Sequence, residues 1–225
     1  MKKIIVSLML LSSLGSYGAQ LQALQAPADT TEFVNPMMWA DVPDPDVIRV
    51  GDDFYLVCTT MHLMPGAPVM HSKDLVNWEI ASYVFDKLTD TPRYDLKEGT
   101  AYGRGQWATS IRYHKGKFYL YFSPNDQPYR GYVYTTTDPK KGWTLAARTP
   151  HFHDASLFFD DDDKVYVFYG TGEMRELKPD LSDVMPGSKP IKVFERDASE
   201  NGLLEGSRFI KHDGKYYLLM ISWPR

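Results

Sequence analysis

The chain has 225 residues, with 25 Lys and Arg against 29 Asp and Glu and a formal net charge of −4. That length supports one sizeable core, and a make-up of 43% hydrophobic, 14% aromatic and 24% charged residues is that of an ordinary globular protein. The mildly acidic balance argues against nucleic acid as a partner, because phosphate binding wants clustered Lys and Arg. Abundant Tyr, Phe and Trp, with 15 Pro and 16 Gly, favour β-structure broken by many short turns.

The N-terminus reads MKKIIVSLMLLSSLGSYGAQ: two lysines, an apolar run from Ile4 to Leu14, then small residues. This pattern predicts a signal peptide over residues 1–19, cut near Gly18 or Ala19 or at Ala23, and hence a secreted or periplasmic protein. The apolar run is too short for a bilayer anchor, so the mature chain is expected to have no membrane span. Residues 20–31 read as a tether, and residues 32–225 as the folded domain. The single Cys58 excludes an internal disulfide; within FYLVCTT it reads as a small buried hydrophobe.

Beyond the tether one pattern recurs. Segments starting at Asp44 (DPDVIRVGDDFYLV), Ala108 (ATSIRYHKGKFYLY), Asp154 (DASLFFDDDDKVYVF) and Glu205 (EGSRFIKHDGKYYLL) each carry an apolar run, a turn of Asp, Gly and Lys, and a second run of Tyr, Phe, Val and Leu. Two such runs around such a turn predict a β-hairpin. An irregular period near 50 residues is what a four-stranded propeller blade with variable loops requires. Starts of inner strands meet on the axis of a propeller, so Asp44, Asp154 and Glu205 are expected to share one pocket.

In chain order, blade one is predicted from Val47 through Phe54–Val57, a third strand near Ala67–His71 and an outer strand after Trp78. Residues 86–107 form a long polar connection, and loops of that length in compact domains are usually functional. Blade two covers Ser110–Trp143, where GYVYTTTDPKKGW echoes PVMHSKDLVNW. Blade three runs from Ser156 to about Phe194. Blade four begins at Ser207 and stops after its second strand, leaving about three and a half blades. An open ring leaves blade faces wet and strand edges unpaired, so the chain is expected to be an N-terminal portion of a longer protein. Tyr55, Tyr119, Tyr166 and Tyr217 fall at equivalent second-strand positions and read as blade packing.

The segments VPDPDVIRVGDDFYLV, GQWATSIRYHKGKFYLYFS, HDASLFFDDDDKVYVFYG and LLEGSRFIKHDGKYYLLM together resemble glycoside hydrolase family 43, over roughly residues 35–225. The resemblance implies an all-β, five-bladed β-propeller. It also places the family's three acids on Asp44 as general base, Asp154 as the residue that orients the acid and tunes its pKa, and Glu205 as general acid. Asp46 departs from the smaller residue often found there in the family, which leaves the choice between Asp44 and Asp46 open. Inversion needs one carboxylate to activate water and a carboxylic acid about 6.5–9.5 Å away to protonate the leaving oxygen. Glu205 must then hold its proton while Asp44 stays ionised, and the field of Asp154 helps to part the two.

Other residues are candidates for the sugar-binding wall. His62 and His71 flank MPGAP, a loop that the resemblance places beside the sugar; His153 adjoins Asp154; and the indole of Trp107 could stack on a sugar's apolar face. Each has a plainer reading as packing.

The run Asp160–Asp163 invites a calcium ion, but it lacks the spaced ligands of a calcium loop and aligns with the other hairpin turns, so a solvated turn is expected. The chemistry requires no cofactor. A structural calcium on the propeller axis stays open, because the His that the family uses for it belongs to a later blade. No GxSxG, GxGxxG or GxxxxGK[ST] motif is present, which removes serine-hydrolase, dinucleotide and phosphate-loop readings. Propeller families that cleave fructosides typically have Cys after the acid, where this chain has Gly206. With EGSRF and SWP, the resemblance implies a β-xylosidase or α-L-arabinofuranosidase acting on xylan, arabinoxylan or arabinan-derived oligosaccharides. A carbohydrate-binding propeller without turnover, or an inactive truncated glycosidase, is the alternative.

Overall fold

A computed structural model describes residues 33–197 and 204–222. The predicted signal peptide and tether, residues 1–19 and 20–31, lie outside the described residues. The chain divides at Trp39 into two compact units, residues 1–39 and residues 40–225. Of the first unit, residues 33–39 are non-regular, with Phe33, Val34 and Trp39 exposed.

Three four-stranded antiparallel sheets and one hairpin follow in chain order. Blade one holds β1 (Asp46–Val50), β2 (Asp53–Val57), β3 (Gly66–Ser72) and β4 (Glu79–Phe85). Blade two holds β5 (Gln106–His114), β6 (Lys117–Pro124), β7 (Arg130–Thr136) and β8 (Thr144–Pro150). Blade three holds β9 (Ser156–Phe159), β10 (Val165–Tyr169), β11 (Glu173–Leu177) and the short β12 (Ile191–Lys192). β13 (Leu204–His212) and β14 (Lys215–Ser222) form the inner half of a fourth blade. A 3-10 turn at Pro92–Asp95 is the helical element among the described residues.

The hairpins form where the repeat places them, and their turn chemistry explains why. Lys115-Gly116 and Asp213-Gly214 both adopt positive φ at both positions, the two-residue geometry whose twist matches paired strands. Apolar side chains then pack blade on blade. Val57, Val69, Phe85, Ile111, Leu120 and Phe122 join blades one and two. Tyr121, Val133, Leu157, Val167 and Leu177 join two and three, and Phe158, Phe168 and Phe209 join three and four. Each such side chain contributes roughly 1.5–3 kcal/mol on burial. The outer face of β14 keeps Tyr217, Leu219 and Ile221 exposed.

Strand register corrects the repeat by one residue. Inner strands pair with second strands through Val47↔Leu56, Ile111↔Leu120, Leu157↔Val167 and Phe209↔Leu218, which makes the four repeat tyrosines equivalent, as predicted. Three residues before each of these inner positions the backbone turns to positive φ: Asp44 (49°), Ala108 (33°), Asp154 (47°) and Gly206 (71°). The fourth-blade counterpart of Asp44 and Asp154 is therefore Gly206. Glu205 stands one residue earlier, level with His153, Trp107 and Pro43. A one-residue step reverses the direction of a strand side chain; the β13–β14 register shift between Glu205 and Arg208 is shared with blade two, where it falls between Trp107 and Ser110.

A belt of side-chain hydrogen bonds ties these starts together. The N–H groups of Ile111, Leu157 and Phe209 donate to Asp46 Oδ2 (2.9 Å), Ser110 Oγ (3.3 Å) and Ser156 Oγ (3.2 Å). Each bond runs from one blade to the next. The fourth equivalent position is Arg208, whose guanidinium reaches back to blade one.

Candidate active site

Asp44 precedes β1 and is exposed. Its Oδ2 accepts a 2.7 Å bond from the Thr59 hydroxyl, which in turn accepts the Ala108 N–H at 2.8 Å. One threonine thus fixes the carboxylate against the start of blade two. Arg208 donates to the carbonyls of Thr109 (3.2 Å) and Asp44 (3.5 Å), so the starts of blades one and two share one guanidinium from blade four. Burial drives the Arg208 pKa down, and Asp46 opposes that.

Asp46 has another fate. It is 7% exposed, and its Oδ2 lies 2.6 Å from Arg112 while its Oδ1 lies 3.4 Å from Arg208 Nε. Both oxygens are held by buried guanidinium groups, whereas Asp44 is open to solvent and bonded by a hydroxyl.

Across the axis Asp154 Oδ2 accepts the Gly206 N–H at 3.3 Å, holding the peptide that follows Glu205. His153 Nε2 lies 3.4 Å from Glu205 Oε2 and 3.8 Å from Asp154 Oδ2. One polar atom from each of these three side chains falls within 4.8 Å of the others. Side-chain exposure is 11% for Asp154, 19% for Glu205 and 38% for His153. Neither carboxylate has a Lys or Arg side chain within ion-pair distance among the described residues.

Aromatic side chains stand beside the acids. The Trp107 ring lies 6.3 Å from His153, and its Nε1–H donates to Gly103 O at 2.9 Å. His62 Nδ1 accepts the Gly103 N–H at 3.1 Å, and its ring meets exposed Tyr102 at 4.4 Å. His62, Trp107 and His153 therefore form one connected wall. His71 leaves it: buried in β3, it bonds Asp53 at 2.5 Å and Glu79 at 3.1 Å.

Sequence reasoning missed three residues here. Thr59, which follows Cys58 in FYLVCTT, holds Asp44. Gln106 is fully buried and bonds Thr60 N–H (2.6 Å), Cys58 O (3.0 Å) and the Thr109 hydroxyl, docking the 58–66 loop on blade two. Tyr102 extends the wall. None carries a motif; the signal for Tyr102 and Gln106 was membership of the long connection, and Thr59 offered none.

That connection is pinned. Asp90 receives both Arg148 nitrogens (2.9 and 2.7 Å), and Arg93 meets buried Asp126 at 2.7 Å. Gly105 has no room for a side chain, since a Cβ there would sit 1.9 Å from Met61 O. Cys58 is buried, and desolvation pushes its thiol up to about 11, which leaves it inert.

The Asp160–Asp163 run forms a hairpin turn, as expected. Asp160 and Asp161 meet Lys211 at 3.0 and 2.6 Å, Asp162 meets Lys164 at 3.0 Å, and Asp163 meets Lys115 at 2.5 Å. A cavity of about 510 Å³ opens at this far end of the inner strands, between Arg49, Arg112, Phe158, Phe209 and Lys211, away from Glu205.

Comparison with known proteins agrees with this geometry. The model of the family "Glycosyl hydrolases family 43" matches residues 33–222. A beta-xylosidase of Formosa agariphila is 29% identical over 85% of this chain and 34% of its own length. A non-reducing end alpha-L-arabinofuranosidase of Bacteroides ovatus is 33% identical over 83% of this chain and 35% of its own. Among solved structures, a bifunctional GH43-CE protein of Bacteroides eggerthii superposes with a TM-score of 0.79 at 42% identity, over 86% of this chain and 26% of that one. The chain spans about a third of the length of the curated relatives it matches.

Proposed function

Because the chain belongs to glycosyl hydrolases family 43, whose structures are five-bladed β-propellers, we propose that its protein is an inverting glycosidase of pentose-containing plant glycans. It hydrolyses β-xylosidic or α-L-arabinofuranosidic bonds in xylan, arabinoxylan or arabinan-derived oligosaccharides. One observation carries the reading: Asp44, Asp154 and Glu205 stand at the starts of three inner strands, tied to one another's blades through Arg208 and the Gly206 N–H.

Asp44, open to solvent, takes a proton from the attacking water. Glu205, more enclosed, gives one to the departing oxygen, while Asp154 holds the Glu205–Gly206 peptide and supplies a neighbouring negative charge that disfavours a second. Trp107, His62 and His153 wall the sugar. Both roles are filled by carboxyl groups, so no cofactor enters the step. The leader-like stretch before residue 20 sets this chemistry outside the cytoplasm, and no helix among the described residues is long and apolar enough to cross a membrane.

The test is an assay of the full-length protein on p-nitrophenyl β-xyloside and α-L-arabinofuranoside. Hydrolysis of at least one is expected; turnover of neither, with xylo-oligosaccharides still bound, would make the protein a carbohydrate-binding propeller.

A further inference from the structure

We propose that His153 acts through Glu205, as the residue that returns a proton to the general acid each cycle. The inference rests on the acid role given to Glu205 above and adds a function that no wall position requires. Its basis is placement: the one-residue register offset sets Glu205 level with His153, and His153 Nε2 is 3.4 Å from Glu205 Oε2.

Inverting hydrolysis leaves Glu205 one proton short and Asp44 one proton over. Asp44 is exposed and discharges to water. Glu205 is more enclosed, with a sugar on one side and the Gly206 peptide on the other, so its proton must come through a neighbour. The groups facing His153 are Asp154 and Glu205, His151 on the same connection, and Trp107, which does not titrate; Arg208 stands behind Asp154. Glu205 is the acceptor among them that both lies within hydrogen-bond reach and loses a proton in the reaction.

The balance closes. The Nε2–H bond of an imidazolium breaks, an O–H bond forms on Glu205 Oε2, and the neutral imidazole recovers a proton from water, which reaches the 38% of the ring left exposed. In water an imidazole outcompetes a carboxylate for a proton. A bound sugar strips water from the pair, and a dry site penalises the separated charges, which drives the proton onto the carboxylate. Substrate binding thereby loads the acid. His151 does not duplicate the role, because burial first and the adjacent His153 second push its pKa below the ordinary histidine range.

The experiment uses the full-length protein with His153→Phe, which keeps an aromatic wall, and His153→Ala, which leaves room for added imidazole. On an unactivated disaccharide, His153→Phe is expected to lower kcat about 10-fold or more, part of the roughly 10²–10⁴ usual for a general acid, with KM little changed. The loss should deepen as pH rises and protons grow scarce. Imidazole in the buffer should restore turnover to His153→Ala. A wild-type kcat and pH profile in His153→Phe would overturn the proposal, as would equal, unrescued losses on activated and unactivated substrates. One readout needs no turnover: NMR titration of His153 should move to lower pH in Glu205→Gln, and an unmoved midpoint would refute the coupling. That titration separates failure of this inference from failure of the glycosidase reading, which the wild-type assay alone decides.

Discussion

The two ends of the inner strands use the same residue types in opposite ways. At the far end, Asp160, Asp161, Asp162 and Asp163 are each met by a lysine, and Lys115 and Lys211 come from the blades on either side. At the axial end, Asp154 and Glu205 face one another across an imidazole, and Asp44 is held by a hydroxyl. Carboxylates answered by cations staple blades together. Carboxylates left to share a pocket with each other remain free to exchange protons, and that difference separates scaffold from site better than residue type does.

Substitutions can break or sharpen this contrast. The largest expected effects are at the axial end: Glu205→Ala should lower turnover by roughly 10²–10⁴, most on poor leaving groups, while Asp44→Asn should lower it on good and poor leaving groups alike. Equal loss of activated and unactivated substrates in Glu205→Ala would remove its assignment as the acid. Two residues from Asp44, Asp46→Asn should act on stability instead. It leaves the buried guanidinium groups of Arg112 and Arg208 without their anion, at about 3–5 kcal/mol, read as a lower midpoint in urea unfolding. A stable Asp46→Asn protein with lost turnover would reverse the roles of the two aspartates.

The far end should respond least. Lys211→Ala removes the surface pairs to Asp160 and Asp161, and screened pairs contribute little, so turnover should hold and stability barely move. Burial raises the Asp160 pKa, but the Asp161 N–H, Lys211 and Tyr216 together outweigh it and hold it below its ordinary value. A depressed carboxylate contributes above its unfolded pKa, and the contribution fades as pH falls through the folded one. Acid unfolding below about pH 4 should therefore become less steep in Lys211→Ala than in wild type, checked by circular dichroism across pH 2–6.

Much of this was legible in the sequence because hairpins are local. An Asp, Gly and Lys turn between two aromatic runs specifies its own pairing, and four copies in order fix the blades and bring their starts to one axis. What stayed hidden was non-local or a matter of a single residue. Nothing in EGSRF distinguishes Glu205 from Gly206 as the partner of Asp154; the positive φ at Gly206, three residues before Phe209 as Asp154 is three before Leu157, decides it. Asp46 and Asp44 look alike until two arginines from other blades are seen to hold one of them. Thr59 and Gln106 carry no motif, since their work is to bond groups 15 to 49 residues away.

The central claim is that Asp44 activates a water on one side of a sugar while Glu205 protonates the departing oxygen on the other. Time-resolved NMR of the first product from a β-xyloside, or from an α-L-arabinofuranoside if that is the substrate hydrolysed, tests it most directly. The account expects the opposite anomer to appear first, α-xylose from the β-xyloside. Initial release of the starting anomer would mean a covalent intermediate and would contradict it.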